Sequence, residues 1–112
     1  MTLSTHVLDT SIGRPVKGMK VRLDYCKPGD SWIELGTFTT DADGRVPGLT
    51  AAGGPAGPGS YRLTFSVAAY FNALSVGTFY TEVTIEFVVR DDSHHHVPLL
   101  VSPYSYSTYR GS

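Results

Sequence analysis

The sequence has few of the features that mark secreted or membrane proteins. It holds a single cysteine, Cys26, so no disulfide can form within the chain and a disulfide-built secreted domain is excluded. No run approaches the ~18 apolar residues of a membrane helix, and residues 1–10 have neither the basic start nor the apolar stretch of a signal peptide. We therefore expect a soluble, cytoplasmic protein.

An excess of charge of either sign is also missing. The chain has 9 Lys and Arg against 10 Asp and Glu, a formal net charge of -1, and its basic residues are scattered singly. A surface that binds nucleic acid needs clustered positive charge. The sequence therefore predicts neither a nucleic-acid partner nor a membrane partner.

The composition is that of one folded domain. Of the 112 residues, 41% are hydrophobic and only 17% are charged, which is typical of a globular protein rather than a disordered one. A chain of this length supports one hydrophobic core but not two. Glycines, prolines and small residues fill positions 50–59, but neither side of that stretch could hold a core alone. We expect a single domain over residues 1–112, with a flexible connection at 50–59.

Alternation of apolar and polar residues dominates the chain, which is the pattern of half-buried strands. Strands are predicted at residues 3–9, 19–25, 32–39, 45–49, 60–67, 80–89, 94–101 and 104–109. Only residues 68–74 have the composition of a helix. Eight closely spaced strands and one short helix predict an all-β protein, an antiparallel β-sandwich of two four-stranded sheets.

Four polar groups stand where their local pattern does not explain them. His6 lies on the outer side of the first strand, and Arg45 follows a glycine turn. His96 opens an apolar strand, and Ser112 carries the terminal carboxylate. Taken singly, each has an ordinary interpretation as a surface or core histidine, a solvated arginine or a chain end. Only a resemblance to a known family gives a reason to consider the four groups together as one site.

The C-terminal stretch HHHVPLLVSPYSYSTYRGS resembles the signature of the 5-hydroxyisourate hydrolases, the transthyretin-related enzymes of urate degradation. STHVLDTSIGRPVKGMKVRL, TTDADGRV and TFYTEVTIEF are similar to further motifs of that family, with Thr81 where proline is usual, so the resemblance covers essentially the whole chain. Transthyretin, the vertebrate thyroid-hormone carrier, shares SPYSYST but lacks the histidine before Val-Pro and the YRGS end. Both features are present here, so the resemblance implies the enzyme, on a transthyretin-like sandwich.

The resemblance also implies an assembly, a reaction and a set of site residues. The expected assembly is a homotetramer in which His6, Arg45, His96 and the YRGS end line a channel, each site drawing residues from neighbouring chains. The expected reaction is the hydrolysis of 5-hydroxyisourate to 2-oxo-4-hydroxy-4-carboxy-5-ureidoimidazoline, without a cofactor. Tyr109 and Ser112 are expected to shape the pocket and bind the substrate.

These residue types suit the hydrolytic opening of a cyclic amide. Histidine has the side-chain pKa nearest neutrality, so His6 or His96 can take a proton from the attacking water and return one to the departing nitrogen. Arg45 is permanently charged and forked, so it can orient a carbonyl-rich substrate and stabilise the developing oxyanion. We assign His6 as the water activator and His96 as the polarising proton donor, although the sequence leaves their division of labour open.

Three alternatives have weaker support. His94, His96 and His6 could form a three-histidine zinc centre, but the fixed charge of Arg45 beside a divalent cation is unfavourable, so we expect no metal. A transthyretin-like small-ligand carrier without catalysis would have to place these polar groups in an apolar pocket, at a cost in free energy. A purely structural sandwich would leave the YRGS end unexplained.

Overall fold

The computed structural model describes residues 2–49 and 57–111. The elements in these ranges are β1 (Thr2–Ser4), β2 (Val7–Asp9), β3 (Arg14–Pro15), β4 (Lys20–Lys27), β5 (Ser31–Thr39), β6 (Gly59–Phe65), α1 (Val67–Ala73), β7 (Val83–Val89), β8 (His94–His96), β9 (Leu99–Ser102) and β10 (Ser105–Thr108). In the part of the chain that is described, no helix has the length and hydrophobicity needed to cross a membrane.

Two four-stranded sheets form the sandwich, with the strand orders β10-β9-β2-β3 and β5-β4-β6-β7. The expected all-β architecture with one short helix is therefore confirmed. Two pairings differ from an antiparallel arrangement: β2 runs parallel to β9, and β1 runs parallel to β8 in a separate two-stranded ladder. Alternation predicts which face a side chain occupies but not the direction of the neighbouring strand, so these pairings were not foreseen.

One hydrophobic core joins the two sheets. Val7 and Leu99 come from the first sheet, Val21 and Leu63 come from the second, and all four are fully buried. Helix α1 adds the buried ring of Phe71. Burial of one such side chain contributes about 1.5–3 kcal/mol relative to its exposure, so this shared core holds the two sheets face to face.

The two strands that carry the candidate histidines are each broken in two. The predicted strand at 3–9 is β1 and β2, which are separated by Thr5 and His6. The predicted strand at 94–101 is β8 and β9, with a break at Val97 and Pro98, where proline supplies no backbone N–H for a ladder. The two segments pair with each other on both sides of the break and in the same parallel register, since Ser4 pairs with His96 and Val7 with Leu99. The break lies beside the candidate site.

The predicted strand at 45–49 is wrong. Only Arg45 pairs there, in a single antiparallel bridge with His6, and residues 47–49 form a turn and a bend. Of the predicted flexible connection at 50–59, residues 50–56 lie outside the described residues.

Alternation along β4 puts Asp24 on the polar side of the strand, with Lys20 and Arg22, but Asp24 is only 3% exposed. The guanidinium groups of Arg22 and Arg62 cover it, with Nε atoms 3.2 and 2.9 Å from its Oδ2. Arg62 in turn lies over the ring of Trp32, 4.2 Å from its centroid. A register shift between Leu23 and Asp24 accompanies this cluster. Arg62 of the neighbouring strand β6, together with Arg22 of the same strand, covers a carboxylate that alternation alone would leave exposed.

Candidate active site

A tight turn organised by Asp41 delivers Arg45 beside His6. The Asp41 carboxylate accepts hydrogen bonds from the backbone N–H groups of Asp43 and Arg45, at 2.9 and 3.0 Å, and its carbonyl accepts one from Gly44 at 2.9 Å. Gly44 has a φ of 77°, in the left-handed region that glycine adopts without the strain a β-carbon would cause. The turn then brings Arg45 into its bridge with His6.

Gly44 also packs directly against the strand that follows His6. The Val7 N–H donates to the Gly44 carbonyl at 2.8 Å. A β-carbon at position 44 would overlap the carbonyl oxygen of Val7. Glycine is thus required both for its φ and for this close approach, and the turn that carries Arg45 is held against the histidine strand.

His96 lies at the end of β8, where three segments meet. It pairs in parallel register with Ser4 of β1, and its carbonyl accepts a hydrogen bond from the Gly111 N–H at 2.7 Å. A β-carbon at position 111 would lie 2.5 Å from the Cδ2 atom of the His96 ring. Only glycine therefore lets the C-terminal backbone lie against this ring, and through Gly111 the terminal segment reaches the site.

The electrostatic surroundings of His96 show which groups share its site. Burial lowers its pKa below the ordinary value of 6.5, and the nearby charges of Arg45, His6 and His94 lower it further. A hydrogen bond with the backbone of Ser4 has a smaller, opposite effect. The structure thus brings His6, Arg45 and His96 together, and the His96 imidazole is neutral at pH 7.

Polar side chains of the β1–β8 ladder connect His96 to His94. The Ser4 Oγ lies 2.7 Å from Nδ1 of His96 and 2.8 Å from Nε2 of His94. Nδ1 of His94 lies 2.5 Å from the hydroxyl of Thr2. Alternation in the sequence puts Ser4 on the same strand face as His6, and His94 on the same strand face as His96. It does not indicate that these two faces lie side by side. That juxtaposition depends on the parallel pairing.

The C-terminal segment carries the remaining predicted residues. Arg110 braces it by donating from its guanidinium to the Gly111 carbonyl at 3.0 Å. The side chain of Tyr109 is 57% exposed and lines a groove of about 300 Å³ on the face that also carries His95. Within one chain the structure therefore does not bring Tyr109 to His96. Ser112 lies outside the described residues.

His95 has a structural role. It faces away from its two neighbours, is 7% exposed, and its Nδ1 lies 2.8 Å from the Ser93 carbonyl. Across residues 2–49 and 57–111, no three His, Cys, Asp or Glu side chains are arranged to hold a metal ion. The three-histidine zinc centre therefore gains no support from the geometry, and metal-free chemistry stays a prediction.

The comparison of sequences connects this site to known enzymes. Residues 3–111 match the model of the HIUase/Transthyretin family. Curated relatives bear the name 5-hydroxyisourate hydrolase, and 5-hydroxyisourate hydrolase 2 of Rhizobium meliloti is 46% identical over 98% of this chain and 95% of its own length. These names confirm the expected class of enzyme, a hydrolase.

Solved structures agree with the fold. A crystal structure of (S)-allantoin synthase superimposes with a TM-score of 0.89 at 39% identity and 99% coverage of this chain, which spans only 43% of that protein. Sea bream transthyretin in complex with thyroxine gives a TM-score of 0.90 at 26% identity, with 99% of this chain and 95% of that one covered. The chain therefore belongs to the HIUase/Transthyretin family.

Proposed function

We propose that this chain is a 5-hydroxyisourate hydrolase, which opens the ring of its substrate by adding water. One observation carries the proposal: two histidines and an arginine from three separate parts of the chain converge on one half-buried site. A carrier of an apolar ligand would gain nothing from these groups, because their desolvation costs free energy unless a polar ligand satisfies them. The names of the curated relatives support the same substrate.

In the proposed reaction, His6 takes a proton from the water that attacks a ring carbonyl. The carbon–nitrogen bond then breaks, and His96 gives a proton to the departing nitrogen. Arg45 orients the carbonyl-rich substrate and stabilises the oxyanion that forms during the attack. One donor of this kind lowers the barrier by about 3–4 kcal/mol. The substrate receives one hydroxyl group and one proton, so neither a covalent nucleophile nor a cofactor is needed.

The proposal includes a homotetramer whose sites form between chains. Tyr109 and Ser112 would then shape the pocket and bind the substrate, and the exposure of Tyr109 in its own chain leaves it open to such a role. A cytoplasmic location is part of the same proposal. The single cysteine, Cys26, which is not in a disulfide, is compatible with a reducing compartment.

The experiment that tests this function follows the ultraviolet absorbance of 5-hydroxyisourate while urate oxidase generates it in solution. We expect the intermediate to decay faster when the protein is present, and a chelator to leave that rate unchanged. Unaltered decay would mean that the chain is a binding-only member of the family. A chelator-sensitive rate would show that the histidines hold a metal, against the proposed chemistry.

A further inference from the structure

We propose that Ser4 is a positioning residue that connects His96 to His94, so that the proton which His96 gives to the departing nitrogen is replaced from His94. This inference rests on the proposed hydrolase function. It assigns a role to Thr2, Ser4 and His94 of the β1–β8 ladder, none of which belongs to the catalytic or substrate-binding residues expected from the sequence. The proposed relay runs from His94 through the Ser4 hydroxyl to His96.

The chemistry of His96 creates the need for such a connection. Burial and the charge of Arg45 disfavour the imidazolium form of His96, so it does not wait in the site as a charged acid. A neutral imidazole that gave up its only ring proton would become an anion, which is far less stable still. His96 can therefore act as a proton donor at neutral pH only if its other ring nitrogen gains a proton in the same step.

The geometry of the Ser4 hydroxyl meets this need. A hydroxyl carries one proton and two lone pairs, so it can donate one hydrogen bond while it accepts another. Its oxygen lies 2.7 Å from Nδ1 of His96 and 2.8 Å from Nε2 of His94, both within normal hydrogen-bond distance. When the Ser4 hydroxyl donates to Nδ1 of His96, it can accept a hydrogen bond from Nε2–H of His94. The Nε2–H of His96 is then free to donate to the substrate.

The proton balance of one turnover follows from these contacts. Nε2–H of His96 passes to the departing nitrogen, and the Ser4 hydroxyl proton passes to Nδ1 of His96. His94 enters the step as the imidazolium, gives its Nε2 proton to Ser4 and is left neutral, with its remaining proton on Nδ1 beside the Thr2 hydroxyl. His96 is neutral before and after the step, with its ring proton moved from Nε2 to Nδ1. The charge lost from the relay is lost at His94, away from Arg45.

His94 is suited to be the outer end of the relay. Its side chain is exposed, so it can recover a proton from water, and the Thr2 hydroxyl lies 2.5 Å from its Nδ1 and holds the ring in orientation. The charged and titratable groups around the relay are His6 and Arg45 at one end and, at the other, Arg110, whose guanidinium lies 3.4 Å from the His94 carbonyl.

The test compares the variants Ser4→Ala, Ser4→Thr and His94→Gln with the wild type in the 5-hydroxyisourate assay across the neutral pH range. Ser4→Ala and His94→Gln should each lower kcat about 10-fold or more and leave KM nearly unchanged, because the relay acts on proton transfer. Both should also lose the fall of kcat toward alkaline pH that deprotonation of the relay causes in the wild type. Ser4→Thr, which keeps a hydroxyl, should recover most of kcat.

Ser60→Ala is the matched control, since Ser60 is also a half-buried strand serine but lies on β6 of the other sheet. Its kcat and pH profile should match those of the wild type. Unchanged kcat in Ser4→Ala would overturn the relay. Full activity in His94→Gln would also overturn the relay. A folded Ser4→Thr that is as inactive as Ser4→Ala would overturn it too, because activity would then depend on the shape of residue 4 and not on its hydroxyl.

A second measurement separates failure of the relay from failure of the proposed function. The titration of the histidine ring protons, followed by nuclear magnetic resonance without substrate, should be coupled between His94 and His96 in the wild type and uncoupled in Ser4→Ala. A wild type that does not accelerate substrate decay would refute the hydrolase function alone. Independent titration of the two rings in the wild type would refute the relay, whatever the activity.

Discussion

At the scale of single residues, the proposed function depends most directly on His6 and His96. Replacement of either by alanine should lower kcat about 100-fold to 10,000-fold, the range that a general acid or base contributes. Neither side chain is part of the hydrophobic core, so the fold should be retained. The absorbance assay measures the first effect and circular dichroism the second. An unfolded variant would identify its histidine as structural rather than catalytic.

Gly111 offers a test of the position of the His96 ring. A β-carbon at residue 111 would lie 2.5 Å from Cδ2 of this ring, so Gly111→Ala should displace His96. A displacement of about 1 Å can lower a rate about 100-fold. We therefore expect a large loss of kcat with a change in the free energy of unfolding of less than about 1 kcal/mol.

Gly77→Ala is the control for that variant. No atom lies within 4 Å of the β-carbon that this substitution would add. It should leave kcat unchanged. Wild-type kcat in Gly111→Ala would mean that the ring has room to move without loss of function, and that the contact with Gly111 does not position it.

The lowered pKa of His96 predicts a pH dependence of stability. Since its pKa is lower in the folded chain than the ordinary 6.5 of an exposed histidine, the unfolded chain binds more protons just below pH 6.5. The contribution of His96 to the free energy of unfolding is therefore constant above that pH and decreases as the pH falls through the folded-state pKa.

Urea unfolding at fixed protein concentration, at neutral and at mildly acidic pH, measures this effect. His96→Gln removes the titrating group but keeps a polar side chain, so it should lose less stability on acidification than the wild type. An equal or larger loss in His96→Gln would contradict a depressed pKa at His96.

At the scale of elements, the turn that carries Arg45 has the strictest steric requirement, because it depends on a glycine at position 44. Gly44→Ala would place a β-carbon in the left-handed region and against the carbonyl oxygen of Val7. The backbone strain costs about 1–2 kcal/mol, and the steric overlap should add about 1–3 kcal/mol. Because relief of the overlap moves the turn away from the strand that follows His6, kcat should fall as well.

Gly18→Ala separates the two contributions. Gly18 has a φ of 83°, close to that of Gly44, but its added β-carbon would meet no atom within 4 Å. It should show the backbone strain alone and keep wild-type kcat. If Gly44→Ala destabilises the chain no more than Gly18→Ala in urea unfolding, the contact with Val7 is not what holds the turn.

At the scale of the whole molecule, one edge of the sandwich is suited to contact another chain. All four residues of β10, an edge strand, are exposed. Tyr106 of this strand forms an exposed aromatic cluster with Phe79 and Tyr80. The ring centroids of Phe79 and Tyr80 are 5.0 Å apart, and those of Tyr80 and Tyr106 are 5.2 Å apart. Exposed edge strands and large apolar patches favour association, and this supports the proposed homotetramer.

Sedimentation velocity tests the assembly. The wild type should sediment at four times the mass of one chain. Tyr106→Glu should shift it toward smaller species, because the variant would bury an unpaired charge at the interface. Ile33→Glu replaces another exposed hydrophobic residue, on the edge strand β5 of the other sheet, and should leave the tetramer intact. A monomeric wild type would refute a site built between chains.

The faces of the strands could be predicted from the sequence alone. Alternation in the last third of the chain correctly separates the buried Val97, Leu99 and Val101 from the side of His94 and His96. This works because neighbouring residues of a strand point to opposite sides, whatever the strand pairs with. The β-sandwich architecture, the helix and the resemblance to the family followed from the same local patterns and motifs.

Only the tertiary structure decided which strands meet. Ser4 reaches His94 and His96 across about 90 residues of sequence because β1 pairs with β8 in parallel, and the turn at Gly44 meets His6 because Val7 bonds to it. A period of two records the face of each residue and carries no information about its partner strand. The residue types of the candidate site were therefore visible in the sequence, whereas the connection between its histidines arises from long-range pairing of the backbone.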